Sequence, residues 1–274
     1  MASKMKISIL EQDSDSISFI LSDVSIAFAN AIRRIMMAEV PTMAIEDVMF
    51  FENTSVMFDE MISHRLGLIP LKTDLKSYST PEECDCESEL GCNKCRASFT
   101  LDVDAGKEPR VVYSGDLKPD DPDIKPVSEK ILIVKLAPGQ KLKFEAYAKL
   151  GRGSDHAKYQ PVSASIYRFN PIVKVDLNKC DGCGECVKYC PKNVFVIENS
   201  RLVVKNEINC ILCNECIRHC PIEPSPIKIS WDDKSFIFYV ESTGSLSAKE
   251  IINEAVNILQ KKAEIVIEHT KKMK

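Results

Sequence analysis

Apolar and polar residues alternate at the start of the chain, with Ile7 and Ile9, then Ile17, Phe19 and Leu21, on either side of Asp13-Ser14-Asp15. A half-buried strand has this period of two, so the segment predicts a hairpin. The period then changes. Phe28, Ile32, Ile35 and Met36 fall at i, i+4, i+7 and i+8 with Asn30, Arg33 and Arg34 off the stripe, which predicts an amphipathic helix from Ser25 to about Ala38. Pro41 breaks the pattern and marks a domain boundary. A second, short helix is expected over Asp59 to Leu68, apolar at Met61, Ile62, Leu66 and Leu68, carrying His64 and Arg65 and stopped by Pro70. Strand-like runs follow at Phe99 to Val103, Ile131 to Leu136 and Leu142 to Leu150, the last in strict alternation. Short strands are expected at Ile172 to Val175, Val194 to Ile197, Leu202 to Val204 and Ile227 to Ile229, and another at Phe236 to Val240. Ser247-Ala-Lys-Glu250 is a capping box opening a helix from Ala248 to about His269, on the order of 30 Å long. Its stripe is Ile251, Ile252, Ala255, Ile258, Leu259, Ala263 and Val266. A terminal helix of this length must rest on its own domain or on a partner chain.

Composition narrows the classes of function. A chain of 274 residues, 45% hydrophobic and 28% charged, is an ordinary globular protein of two or three domains. Its net charge of -4 and the lack of a basic arm argue against autonomous DNA binding. The first residues meet Glu11 and Asp13 too soon for a signal peptide, and no apolar run approaches a membrane span, so a cytoplasmic location is expected. Pro119-Asp120-Asp121-Pro122-Asp123 reads as a surface loop, and Gly151-Arg152-Gly153 is too short for a phosphate cradle. No D-x-D-G-D run of the type that holds catalytic Mg2+ in polymerases is present, and no catalytic residue is expected in the chain.

The cysteines change the picture most. All twelve fall in three groups, which in a reducing compartment suggests metal rather than disulfides. Cys180-x2-Cys183-x2-Cys186-x3-Cys190-Pro191 is repeated at an offset of 30 residues as Cys210-x2-Cys213-x2-Cys216-x3-Cys220-Pro221. This is the spacing of two-cluster ferredoxins, in which the fourth cysteine of each run ligates the other cluster. Cys180, Cys183, Cys186 and Cys220 are thus expected on one 4Fe-4S cluster, and Cys210, Cys213, Cys216 and Cys190 on a second; one of the two could be a 3Fe-4S form. Gly182 and Gly184 suit the close approach of backbone to cluster. Cys84-x-Cys86-x5-Cys92-x2-Cys95 lies in a polar segment with little core of its own. Four thiolates there suit a structural Zn2+; an empty site or disulfides are the alternatives. Taken alone, the ferredoxin-like block favours an electron carrier or an iron-sulfur oxidoreductase subunit.

The flanking segments point elsewhere. Phe28-Ala-Asn30-Ala-Ile-Arg33-Arg34-Ile-Met36, Asp59-Glu60-Met-Ile-Ser-His64-Arg65-Leu-Gly67-Leu-Ile-Pro70-Leu71, and Gly151-x-Gly153-x2-His156-Ala-Lys158-x2-Pro161-Val162 lie in this order. They resemble three signatures of the family that contains the D-type subunit of archaeal RNA polymerase, the bacterial alpha subunit and the third-largest subunit of eukaryotic RNA polymerase II. The resemblance implies an α+β fold of three parts: an alpha-subunit-like dimerisation domain (1–40 plus 228–274), a mainly-β insert domain (41–170) and a ferredoxin-like domain (171–227). It also implies a non-catalytic assembly subunit of DNA-directed RNA polymerase. Such a subunit pairs with subunit L, and the heterodimer forms the platform for the large catalytic subunits and the small subunits N and P. Phe28, Ile32, Arg33, Arg34, Ile35, Ile251, Ala255, Ile258 and Leu259 are the expected interface residues, with clusters that shape the fold or regulate assembly.

Overall fold

The computed structural model describes residues 5–86, 88 and 91–272; the first four and last two residues of the expected dimerisation segments lie outside the described residues. The expected hairpin is present as β1 (Lys6–Gln12) and β2 (Ser16–Ser22). Asp13 closes its turn by accepting from the Asp15 and Ser16 backbone N–H groups at 3.0 and 2.6 Å. Helix α1 (Ile26–Ala38) follows, capped by Ser25, whose Oγ accepts from Phe28 N at 3.2 Å. The chain continues through β3 (Thr42–Asn53), α2 (Asp59–Gly67), β4 (Arg96–Asp104), β5 (Arg110–Tyr113), β6 (Lys118–Pro119), β7 (Leu132–Leu136), β8 (Lys141–Gly151) and β9 (Val162–Val175). Then come α3 (Glu185–Lys188), β10 (Phe195–Glu198), β11 (Arg201–Val204), α4 (Glu215–Arg218), β12 (Ile227–Ser242) and α5 (Ala248–Lys271). The mixture of helix with a larger share of sheet is the α+β class expected.

Two compact units divide the chain: residues 1–11, 18–29 and 167–238, and residues 12–17, 30–166 and 239–274. In the first, aromatic side chains bridge neighbouring strands of a sheet ordered β1-β2-β12-β9. Phe19 stacks on Phe238 at 5.1 Å, and Tyr167 meets the edge of Phe236 at 5.4 Å. The same unit holds the cysteine-rich segment, built around the hairpin β10-β11, with Val194, Phe195 and Leu202 buried beside Cys186, Cys210 and Cys216.

The second unit is organised by a sheet ordered β3-β8-β4-β6. Strict alternation on β8 sends Leu142, Phe144, Ala146, Ala148 and Leu150 inward, and β4 matches it with Ala97, Phe99, Leu101 and Val103. Each large side chain removed from water in this way contributes about 1.5–3 kcal/mol before conformational entropy is counted. Helix α2 adds Ile62 and Leu66 to the same core. Arg65, on its flank, donates from Nη1 to the Ile133 carbonyl at 2.9 Å, while His64 is exposed.

Two strands in particular depart from the sequence expectation. The strand β3 covers a stretch for which no element was expected, since bulges between Ile45 and Asp47 and between Phe50 and Glu52 break its alternation. The runs at Ile227 to Ile229 and Phe236 to Val240 are one continuous strand, β12, whose middle carries exposed polar residues. The acidic stretch around Asp121 is the expected loop, following β6, with Asp121 accepting from Tyr78 Oη at 2.7 Å.

Candidate functional site

The cysteine repeat is also a repeat of backbone shape. Gly182 and Gly184 take φ values of +73° and +81°, and at the same places in the second loop Leu212 and Asn214 take +59° and +62°. Each loop then enters a one-turn helix, α3 or α4, from a left-handed residue. Glycine is required at 182, where a Cβ would come within 2.9 Å of the Ser200 carbonyl. The folding of the two loops gathers the cysteines in two sets. Cys180, Cys183, Cys186 and Cys220 line one small cavity, and Cys190, Cys210, Cys213 and Cys216 line another. Burial pushes Cys186 up to about 11 and Cys216 up to about 12. Four thiolates converging on so apolar a site need a polycationic core to hold them, and the iron of a 4Fe-4S cluster fits this donor set. Tyr189 and His219, each one residue before the last cysteine of its run, stack with ring centroids 3.7 Å apart.

One residue at this site carried no signal in the sequence pattern. Arg168, on β9, reaches across to the segment that enters the second loop, donating from Nη2 to the Ile208 carbonyl at 2.6 Å and from Nη1 to the Cys210 carbonyl at 3.1 Å. Glu207 ties the same segment to β9 by accepting from Val173 N at 2.7 Å.

The second cysteine group closes on itself. The sulfurs of Cys84, Cys86, Cys92 and Cys95 all lie within 4.8 Å of one another, with Cys84 to Cys92 at 3.7 Å, Cys86 to Cys95 at 3.8 Å and Cys92 to Cys95 at 3.9 Å. A disulfide needs sulfurs about 2.05 Å apart. Four sulfurs about 2.3 Å from one tetrahedral Zn2+ stand about 3.8 Å from each other, so the donor set fits that ion. Cys92 Sγ accepts from the Lys94 N–H at 3.4 Å, and this bond first of all lowers Cys92 to about 7. Burial pushes Cys95 up to about 12. Gly91, at φ +79°, carries the chain into this knuckle where a Cβ would lie 3.2 Å from Cys95 Sγ.

Comparison with known proteins decides the setting of these centres. Residues 48–176 match the RNA polymerase Rpb3/RpoA insert domain, and residues 179–223 match a 4Fe-4S dicluster domain. The chain is 43% identical to DNA-directed RNA polymerase subunit Rpo3 of Methanosphaera stadtmanae, over 96% of this chain and 97% of that protein. It is 45% identical to the Rpo3 subunit of Archaeoglobus fulgidus, over 94% of this chain and 95% of the relative. With that of Pyrococcus horikoshii it shares 40%, over 98% and 99% of the two chains. The chain belongs to the Rpo3 family. It is therefore a subunit of DNA-directed RNA polymerase with an iron-sulfur domain, and it assembles with other subunits of that enzyme. No described helix is long and apolar enough to cross a membrane.

The three Rpo3-like signatures have structural reasons. Gly153 lies against the end of α1, where a Cβ would fall 2.2 Å from the Met37 carbonyl, and Ser154 N donates to the Ala38 carbonyl at 2.9 Å. Gly151 lies under the Tyr159 ring, which a Cβ would meet at 2.5 Å. Lys158 donates to the Ile45 carbonyl at 3.0 Å and pairs with Glu46, which also accepts from Tyr159 Oη at 2.9 Å. Burial alone would raise Glu46, but the hydrogen bonds from Lys158 and Tyr159 hold it down at about 2. Gly67 of the second signature fits beside the same Ile45 carbonyl and the Lys158 side chain.

The expected interface residues separate into two kinds. Ile32, Ile35, Ile251 and Ala255 are buried within the chain itself, because the most apolar stripe of each helix covers its own fold. Phe28, Arg33, Ile258 and Leu259 are half-buried and Arg34 is exposed. Arg33 is held on α1 by Asn30 Oδ1 at 3.2 Å and by Met37 Sδ at 3.2 Å. Helix α5 starts on the expected capping box, in which Glu250 N donates to Ser247 Oγ and Ser247 N to Glu250 Oε2 at 3.3 and 2.9 Å. Its buried residues end at Ala255, and from Gln260 to Lys272 every residue is exposed.

Proposed function

We propose that this chain is a non-catalytic assembly subunit that pairs with the shorter subunit L, forming the platform for the large catalytic subunits and for subunits N and P. The observation that carries this reading is the outer half of α5, where Ile265, Val266 and Ile267 are 55%, 62% and 50% exposed on a helix whose own core contacts end more than a turn earlier. An unsupported helical segment of about a dozen residues is marginal in water, and a solvated apolar stretch on one calls for a covering chain. Half-buried Ile258 and Leu259 extend that face inward, with Phe28, Arg33 and Arg34 of α1 as the other contribution. Ile32, Ile35, Ile251 and Ala255 then support the interface from beneath. In this role the chain adds no group to nucleotide transfer, acts in the cytoplasm and makes no autonomous contact with DNA.

The metal centres serve this scaffold. Cys180, Cys183, Cys186 and Cys220 hold one 4Fe-4S cluster and Cys210, Cys213, Cys216 and Cys190 the other; the division of the eight sulfurs between two cavities supports the exchange of the fourth ligand. Cys84, Cys86, Cys92 and Cys95 hold one Zn2+. Both kinds of centre replace hydrophobic burial in segments that have little of it. Residues 1–40 and 228–274 form the dimerisation domain, with 41–170 and 171–227 as the two inserted parts. Co-expression with subunit L, followed by size-exclusion chromatography and mass measurement, is expected to give a one-to-one heterodimer. A stable monomer in the presence of L contradicts the reading.

A further inference from the structure

We propose that the two cluster sites are electrochemically inequivalent, and that Arg168 makes the site of Cys190, Cys210, Cys213 and Cys216 the one that accepts an electron first. The inference rests on the two-cluster reading above and adds a difference between centres that the cysteine spacing makes look identical.

The charged residues that line the two cavities are opposite in sign. The first cavity is lined by Cys180, Cys183, Cys186 and Cys220 together with Asp181, and by no basic residue. Asp181 sits in the ligand loop itself, with Oδ1 accepting from Cys183 N at 3.1 Å. At the position of Asp181 the second loop carries Ile211, and its cavity is lined by Lys192 and by no acidic residue. Lys192 corresponds in the repeat to Ile222, which lines the first cavity. To this the fold adds Arg168, whose guanidinium is fixed by the carbonyls of Ile208 and Cys210 at 2.6 and 3.1 Å. Arg168 is half-buried, so solvent screens its charge less than that of a surface lysine. Among the described residues, no basic side chain is hydrogen-bonded to the carbonyls of Asn178 or Cys180, the equivalent positions of the first loop.

Reduction adds one electron to a centre already surrounded by four thiolates, so a fixed cation beside it favours the reduced form and a carboxylate opposes it. Both effects separate the sites in the same direction. The electron comes from an external one-electron donor, dithionite in the test below, and no bond is made or broken in the protein.

Potentiometric titration of the full chain, followed by EPR with iron per chain measured in parallel, tests the assignment. The native chain is expected to show two separate one-electron steps. Arg168→Gln should lower the upper step by at least a tenfold change in its reduction equilibrium, which is 59 mV for a one-electron couple, and leave the lower step in place. Asp181→Asn should raise only the lower step, and Arg168→Lys, which keeps the charge without the two-pronged hydrogen bond, should keep most of the gap. If Arg168→Gln sheds the iron of its site, the Asp181→Asn titration decides: a raised lower step supports the proposal and an unmoved one overturns it. Coincident steps in the native chain, or an Arg168→Gln chain that keeps both clusters at unchanged potentials, also overturn it. Iron well below roughly eight atoms per native chain contradicts the two-cluster reading instead.

Discussion

Gly91 shows how much one missing Cβ controls. It turns the chain at φ +79° beside Cys95, and an alanine there combines a left-handed backbone with a methyl 3.2 Å from the sulfur. The backbone strain alone costs about 1–2 kcal/mol. Gly91→Ala is therefore expected to lower zinc stoichiometry after dialysis against a weak chelator, while Gly106→Ala, at φ +58° with open space around it, keeps full zinc. Equal zinc retention in the two variants would remove Gly91 from the site. Glu46 gives a second residue-level expectation, in acid. Its folded value of about 2 lies below the ordinary 4.5, so its contribution to stability is complete above pH 4.5 and is lost as the pH falls through about 2. With a third of the side chain exposed, solvent screening leaves this on the order of 1–2 kcal/mol. Denaturant unfolding followed by circular dichroism should show Glu46→Gln less stable than the native chain at pH 6 by that amount and nearly level with it at pH 2. A constant gap across the range would assign the loss to packing.

Elements differ in how openly the sequence displays them. The alternation of β8 and the capping box of α5 are local signals, and both predict their elements closely. Two bulges hide β3, because each shifts the face on which the next apolar residue falls. The middle of β12, around Asp232 and Asp233, reads as a break because side chains there face solvent while the backbone stays extended. The cysteine loops were legible through their spacing, which fixes ligand order. Arg168 was not, since its partners are backbone carbonyls distant in the chain and nothing in residue type announces them. Replacing Cys180, Cys183, Cys186 and Cys190 by serine is predicted to destabilise the segment from about 171 to 227, seen as faster backbone hydrogen exchange there. Exchange in β4 and β8, which draw their core from the insert sheet, should change little. Matched acceleration in β4 and β8 would mean that the cluster segment and the insert sheet unfold together.

For the whole molecule, the family assignment follows from likeness along nearly the full length, and two of its segments match known domains separately. The ferredoxin-like block, which taken by itself indicates an electron carrier, occupies residues 179–223 of a polymerase subunit. Among the described residues, the outer part of α5 is one of the apolar stretches left without cover, and spacing alone could not tell a helix folded back on its own domain from one offered to a partner. The most direct test is the dissociation constant of the heterodimer with subunit L, measured for the native chain and for the double variant Ile265→Asp, Val266→Asp. Both positions are exposed, so the variant is expected to fold and melt as the native chain does. Losing two buried apolar side chains at an interface should weaken pairing by about 3 kcal/mol or more, a factor of over one hundred. Unchanged affinity in a correctly folded variant, or no binding of L by the native chain, contradicts the account.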